Sequence, residues 1–241
     1  GPHGLRKQEH TGDMLGMNAS KRATCFPTAV LTACGWDEAL LFDIGAALGR
    51  EARAEGVGLL LGPGANLKRG PLCGRNFEYF SEDPLLTGRL AAAFIRGVQS
   101  EGVGACLKHF ACNNQEYKRF SSNSVLDSRT LRELYLRGFE LAVREGRPAA
   151  VMCAYNAVNG EHCSDSRALL TDILRGDWGF EGAVVTDWGA TSDRIKGFKA
   201  GCDLMMPGGS RYMERDCLRA LERGELRRGE LEACAARVAA L

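Results

Sequence analysis

Histidine is scarce in this 241-residue sequence, with four in all, and its ten cysteines are scattered without a Cys-X-X-Cys pair. Metal-ligand spacing is therefore missing, and no metal or other cofactor is expected. No apolar run approaches the roughly 18 residues of a membrane span, so no membrane partner is expected either. An excess of one charge is also lacking. The 31 Lys and Arg against 30 Asp and Glu leave a formal net charge of +1, which gives no electrostatic footprint for nucleic acid or an anionic lipid surface. Internal repeats and low-complexity segments are absent, as is a signal-peptide pattern at the start. The chain opens at Gly1-Pro2-His3-Gly4 without a Met, and a preceding segment is the expectation. Cysteines fall in predicted strands (Cys106, Cys153) and on an apolar helix face (Cys234). That reads as core thiols of a reducing, cytoplasmic setting in preference to a disulfide framework.

What is present is an ordinary globular composition, 45% hydrophobic and 25% charged, with length for one large α/β domain or two small ones. Residues 1–28 read as a long loop. Helical spacing runs from Trp36 to Glu55, with Leu40, Leu41, Ile44, Ala47 and Leu48 on one side and Asp37 in the first turn. Strands and helices then alternate. Strands are predicted at Val57–Leu61, Val103–Phe110, Ala149–Tyr155, Gly182–Asp187 and Asp203–Met206. Helices are predicted at Pro84–Ser100, Ser128–Glu145, Arg167–Arg175 and Ser192–Ala200, with closing helices at Tyr212–Arg223 and Gly229–Leu241. This alternation predicts a parallel sheet with helices outside. About five strands stand against the eight of a closed barrel. The expectation is a TIM-barrel-like (β/α)8 fold that is incomplete or irregular, its first strand missing.

Polar residues gather just past the predicted strand ends, where parallel barrels carry their reactive groups. Arg75 and Glu78 follow the first strand. Lys108-His109, Glu116 and Arg119 follow the second, Tyr155-Asn156 the third, and Asp187-Trp188 the fourth. A carboxylate beside an indole suits carbohydrate chemistry: the carboxylate can attack an anomeric carbon and the indole offers a flat face to a sugar ring. Each residue has a plainer role to weigh against this. Asp187 could cap a helix, His109 could be a satisfied core histidine, Lys108 a surface lysine, Arg75 and Arg119 surface ion pairs, and Tyr155 barrel packing.

The stretches Arg69-Gly-Pro-Leu-Cys-Gly-Arg75-Asn-Phe-Glu78, Lys108-His109-Phe110, Met152-Cys-Ala-Tyr155-Asn156 and Thr186-Asp187-Trp188-Gly189 together resemble the motif series of glycoside hydrolase family 3, its β-glucosidase branch above all. The opening Gly-Pro-His-Gly-Leu-Arg-Lys-Gln, Ala23-Thr-Cys-Phe-Pro-Thr28 and Ala200-Gly-Cys-Asp-Leu-Met-Met-Pro207 fit the same series, in order, over essentially residues 1–241. The resemblance implies the N-terminal barrel domain of a longer retaining glycosidase that removes terminal non-reducing β-D-glucosyl residues from an oligosaccharide or glycoside. It implies Asp187 as nucleophile and Arg75, Lys108, His109, Arg119, Tyr155 and Trp188 as substrate-binding groups, with no cofactor. Glu78, Asp83, Asp127, Arg129 and Glu133 read as structural charge pairs and helix-start acids, and the Asp203–Met206 segment as pocket floor.

Two parts of the family pattern are absent. The family's first motif begins with an Asp one residue before the Gly-Pro found here at Gly1. The general acid/base of the β-glucosidase branch is a Glu from an α/β sandwich domain that follows the barrel, so that domain of the same polypeptide is the expected partner. A second branch carries a catalytic His in a barrel loop, but here Phe110 is followed by Ala111-Cys112-Asn113-Asn114-Gln115, and Glu116 is no convincing substitute. A sugar-binding fragment without catalysis and a Schiff-base aldolase using Lys108 are the alternatives.

Overall fold

The computed structural model describes residues 3–7 and 20–241 of the chain. Among these, seven short strands follow in order: β1 (Leu59–Leu60), β2 (Gly104–Phe110), β3 (Asn123–Ser124), β4 (Ala150–Cys153), β5 (Ala157–Val158), β6 (Glu161–His162) and β7 (Ala183–Thr186). Strands β1, β2, β4 and β7 form one parallel sheet in that order. Helices lie between them in sequence, which is the βα alternation of a TIM-type barrel, left open here.

The expected fifth strand shrinks to a single parallel bridge between Leu204 and Val185. Side chains displace its ladder. The Asp203 carboxylate accepts from Val184 N at 2.7 Å, and Thr186 Oγ1 accepts from Met206 N at 2.9 Å. Asp203 also pairs at 2.8 Å with Arg175 and with Arg237, so it clamps two helices to β7 and is more than a floor residue. Strands β3, β5 and β6 make a small separate sheet that sequence periodicity missed, since two-residue strands have no period to read.

The helices are α1 (Ala29–Ala33), α2 (Glu38–Ala54), α3 (Pro84–Ser100), α4 (a continuous helical run over residues 128–146), α5 (Ala168–Asp177), α6 (Arg194–Ala200), α7 (Arg211–Glu222) and α8 (Arg228–Ala239). Helix α1 follows directly on the stretch read as a loop, of which residues 1–2 and 8–19 lie outside the described residues. Acids set several starts by accepting backbone N–H groups. Asp37 takes Leu40 N at 3.0 Å, Asp83 takes Leu86 N at 2.7 Å and Asp127 takes Thr130 N at 2.9 Å. Asp37 is thus the cap of α2 and not a residue of its first turn.

The buried stripe of α2 is Leu41, Gly45, Ala46, Leu48, Gly49 and Ala52, while Leu40, expected inside, is exposed. Glycine explains the rotation. A methyl on Gly97 of α3 would run into Phe42 O and would sit 2.9 Å from Ala46 N, and one on Gly45 would meet Phe94 O. The two helices touch backbone to backbone, a contact that carries no hydropathy signal. Helix α3 is buried on nearly all sides, which suits its Ala-rich central position.

The pleat divides the sheet residues between two cores. Ala105, Leu107, Val151, Cys153 and Val184 pack outward under the helices. Cys106, Ala150, Met152 and Val185 form a small inner cluster with Leu59, Leu204 and Met206. All ten cysteines are free thiols.

The helix contact makes a direct prediction. Gly97→Ala should destabilise the protein by about 1–3 kcal/mol through overpacking, read as a lower urea midpoint with an unchanged slope. A midpoint equal to that of the unaltered protein would show that α2 and α3 do not rely on this approach.

Candidate active site

Continuing the inner-face alternation past the hydrophobic cluster leads from Cys106 to Lys108 on β2 and from Val185 to Asp187 beyond β7. A period of two therefore brings an ammonium and a carboxylate to the same rim, the C-terminal ends of the strands. His109 would alternate outward, but the register of β2 shifts between Leu107 and Phe110. Such irregularities re-aim side chains, and His109 turns to the same rim, fully buried. Asn66 holds its backbone on both sides, accepting from His109 N at 2.8 Å and donating to His109 O at 2.9 Å.

The loop after β1 delivers Arg75, Glu78 and Tyr79. Gly64 makes room: a Cβ there would lie 2.9 Å from the Tyr79 ring. Arg75 is the hub. Its Nε donates to Glu78, its Nη2 lies 2.7 Å from His109 Nε2, and its Nη1 lies 3.6 Å from Asp187 Oδ2. Lys108 Nζ sits 3.4 Å from Glu78 Oε2. Two cations and two carboxylates thus share one largely buried place, each charge compensated.

An arginine nitrogen only donates, so His109 Nε2 accepts and the ring proton belongs on Nδ1, 3.1 Å from the Tyr79 hydroxyl. Tyr79 also accepts from Asn113, which donates to Glu116 as well. Burial and the cations Lys108, Arg75 and Arg119 hold the His109 pKa well below its ordinary value, so the ring is neutral. Burial opposes the charged form of Glu78, but Lys108 and Arg75 outweigh it and keep its carboxyl below the usual range.

Asp187 Oδ1 accepts from Trp188 N at 2.7 Å. Its Oδ2 is buried and accepts no hydrogen bond, with His109 Nε2 at 3.4 Å. The cap reading of Asp187 fails, because Asp193 caps the following helix through Ile195 N and Lys196 N, both at 3.0 Å. Tyr155 donates to Trp188 O at 3.0 Å, and Arg119, held by Glu116 at 2.8 Å, stacks 4.1 Å above the Tyr155 ring. Burial and the nearby Asp187 push the Tyr155 phenol up to about 12. Trp188 stands 46% exposed at the rim.

Every expected site residue therefore falls in one neighbourhood: Arg75, Lys108, His109 and Asp187 in the inner web, and Arg119, Tyr155 and Trp188 beside it. Sequence reading placed Glu78 among structural charge pairs, and gave no role to Tyr79 and Asn113 although both lie in the polar stretches past the strand ends. Glu78 is a charge pair, but at the centre of the site. Tyr79 is the buried partner of a histidine, a link that only the fold creates.

The family model described as the glycosyl hydrolase family 3 N terminal domain matches residues 9–241. The chain belongs to glycosyl hydrolase family 3. Thermostable beta-glucosidase B of Acetivibrio thermocellus is 56% identical over 94% of this chain, which spans 30% of that protein. An exo-alpha-(1->6)-L-arabinopyranosidase of Bifidobacterium breve is 44% identical over 96% of it, again 30% of the relative. Beta-glucosidase 3B of Thermotoga neapolitana in complex with alpha-D-glucose superposes with a TM-score of 0.92 at 44% identity, covering 98% of this chain and 34% of that one. This family 3 domain thus spans about a third of the length of the relatives it matches.

The neutral His109 has a consequence for stability. In the unfolded chain its imidazole gains a proton below about pH 6.5, while the folded site resists protonation. Its contribution is intact above that pH and is lost as pH falls towards the depressed folded value, by up to about 1.4 kcal/mol per pH unit. His109→Gln should therefore flatten the fall in urea midpoint between pH 7.5 and 5.5. Parallel pH curves for the two proteins would contradict a buried neutral ring.

Proposed function

We propose that this domain supplies the sugar pocket and nucleophile of a retaining β-glucosidase acting on terminal non-reducing β-D-glucosyl residues. The carrying observation is Asp187 Oδ2, a buried carboxylate oxygen without a hydrogen bond at a barrel-strand end, beside Arg75 and His109. An uncommitted lone pair is what a nucleophile needs, and the Arg75 guanidinium stands 3.6 Å from it. In the first step Asp187 Oδ2 bonds to the anomeric carbon as the glycosidic C–O bond breaks. The departing oxygen takes a proton from a general acid. Water then cleaves the glycosyl ester and restores Asp187. Lys108, Arg75 and Arg119 donate to sugar hydroxyls, His109 adds its ring edge, Tyr155 braces the Trp188 backbone, and the indole packs on the sugar.

The acid/base is proposed to come from outside these residues, from the C-terminal α/β sandwich domain of the same polypeptide. Glu78 is held anionic between Lys108 and Arg75, and Glu116 is committed to Arg119 and Asn113. Both carboxylates are engaged by partners within this domain. The greater length of the relatives supports the same reading. Schiff-base chemistry is disfavoured, since Lys108 is committed to Glu78.

Two outcomes test this. In the full-length polypeptide Asp187→Ala should lower turnover of 4-nitrophenyl β-D-glucoside by roughly 10³-fold or more, and added azide should restore release of nitrophenol with formation of α-glucosyl azide. Residual turnover near that of the unaltered enzyme removes Asp187 from the nucleophile's role. The 241-residue chain alone should cleave an alkyl β-glucoside roughly 10²-fold more slowly than the full-length enzyme, for want of an acid. Equal rates would place the acid among these residues.

A further inference from the structure

Behind His109 runs a buried chain of hydrogen bonds that the catalytic steps leave unused. His109 Nδ1 lies 3.1 Å from the Tyr79 hydroxyl. Asn113 Nδ2 donates to that hydroxyl at 3.0 Å and to Glu116 Oε1 at 3.1 Å, and Glu116 in turn accepts from Arg119 at 2.8 Å. Tyr79, His109 and Asn113 are each no more than 1% exposed. The backbone sets this alignment. Gly64 bridges in parallel to Tyr79 on one side and to Lys108 on the other, so the phenol is registered against the residue before His109. The two rings meet edge to face, with centroids 6.0 Å apart at 73°.

The donors in this chain run in fixed directions. Glu116 pairs with Arg119, so its oxygens accept, and the Asn113 amide must turn its nitrogen towards them. With the amide so turned, the Tyr79 oxygen accepts from it. At the other end Arg75 Nη2, 2.7 Å from His109 Nε2, can only donate. The single proton of the neutral ring therefore sits on Nδ1, and Tyr79 accepts a second time. This arrangement reaches Asp187. His109 Nε2 is 3.4 Å from Asp187 Oδ2, the carboxylate oxygen without a hydrogen bond. An Nε2 bearing a proton would donate to that oxygen and occupy its lone pair, whereas an Nε2 without one leaves it open. Which nitrogen carries the proton is set by the partner of the other.

We propose that Tyr79 is a positioning residue: by accepting the Nδ1 proton of His109 it keeps Nε2 bare and Asp187 Oδ2 free to attack, while Asn113 and Glu116 hold the phenol oxygen in its accepting role. The role rests on the reading of Asp187 as nucleophile. Tyr79 is fully buried and reaches no substrate, so its effect passes through the imidazole. Without the phenol oxygen, a buried Nδ1–H would stand unpaired, which is costly. Moving the proton to Nε2 would give it the Asp187 carboxylate as acceptor.

The proton can be located without turnover. Full-length enzyme labelled with 15N-histidine, its His109 signal assigned by the resonance lost in His109→Gln, should show the proton on Nδ1. In Tyr79→Phe it should move to Nε2. In Asn113→Ala, which frees the phenol to donate, part of it should move the same way. With 4-nitrophenyl β-D-glucoside, Tyr79→Phe should lower kcat/KM roughly tenfold, as expected for one buried hydrogen bond, while glucose affinity stays within about threefold. In a His109→Gln background the same substitution should cost less than about twofold, because its route to Asp187 is gone. Were Tyr79 only part of the packing, its loss would cost the same in both backgrounds. A proton on Nε2 of the unaltered enzyme, a proton that stays on Nδ1 in Tyr79→Phe, or equal losses in the two backgrounds would overturn the proposal. An unaltered enzyme without glucosidase activity would strike the nucleophile reading alone, and the position of the proton would still decide whether Tyr79 sets the tautomer.

Discussion

The site depends on one largely buried arginine shared among three partners. Arg75 joins Glu78, His109 and Asp187, which arrive from separate places in the chain. Two carboxylates and two cations out of water would each be costly alone, and together they balance. Arg75 also fixes the role of His109 by donating to it, and so sends the ring proton towards Tyr79. The burial that makes these charges expensive leaves Asp187 Oδ2 free of competing donors.

The framework that delivers these groups is the parallel sheet. Its pleat gives the inner face small residues below and charged residues at the rim, so Cys106 leads to Lys108 and Val185 to Asp187. The irregularity in β2 adds His109 to that face. Far from the rim, Asp203 binds Arg175 and Arg237 and holds α5 and α8 against β7. A buried carboxylate is thus used twice, as a structural clamp fully satisfied by its partners and as a rim group left with one oxygen bare.

The rim has two neighbouring compartments with different chemistry. The inner one is ionic, built from Arg75, Lys108, Glu78 and Asp187. The second, lined by Phe120, Tyr155, His162 and Thr191 among others, carries no Lys, Arg, Asp or Glu and has two unpartnered polar atoms, His162 Nδ1 and Thr191 Oγ1. Tyr155 is common to both, its hydroxyl anchored at Trp188 and its ring under Arg119 and Phe120.

By itself the sequence determined the alternation of strands and helices and the exact span of α3, and its resemblance to glycoside hydrolase family 3 singled out the seven residues expected at the site. Apolar periodicity and residue type at strand ends are local properties that a linear text preserves. Tertiary structure alone decided the rest. Which face of α2 is buried depends on glycine contacts with α3. The fifth strand gave way because Asp203 and Thr186 side chains took its hydrogen bonds. Glu78, Tyr79 and Asn113 joined the site because a loop after β1 folds over the end of β2, residues some thirty positions apart, and hydrogen bonds across that distance leave no pattern in the sequence.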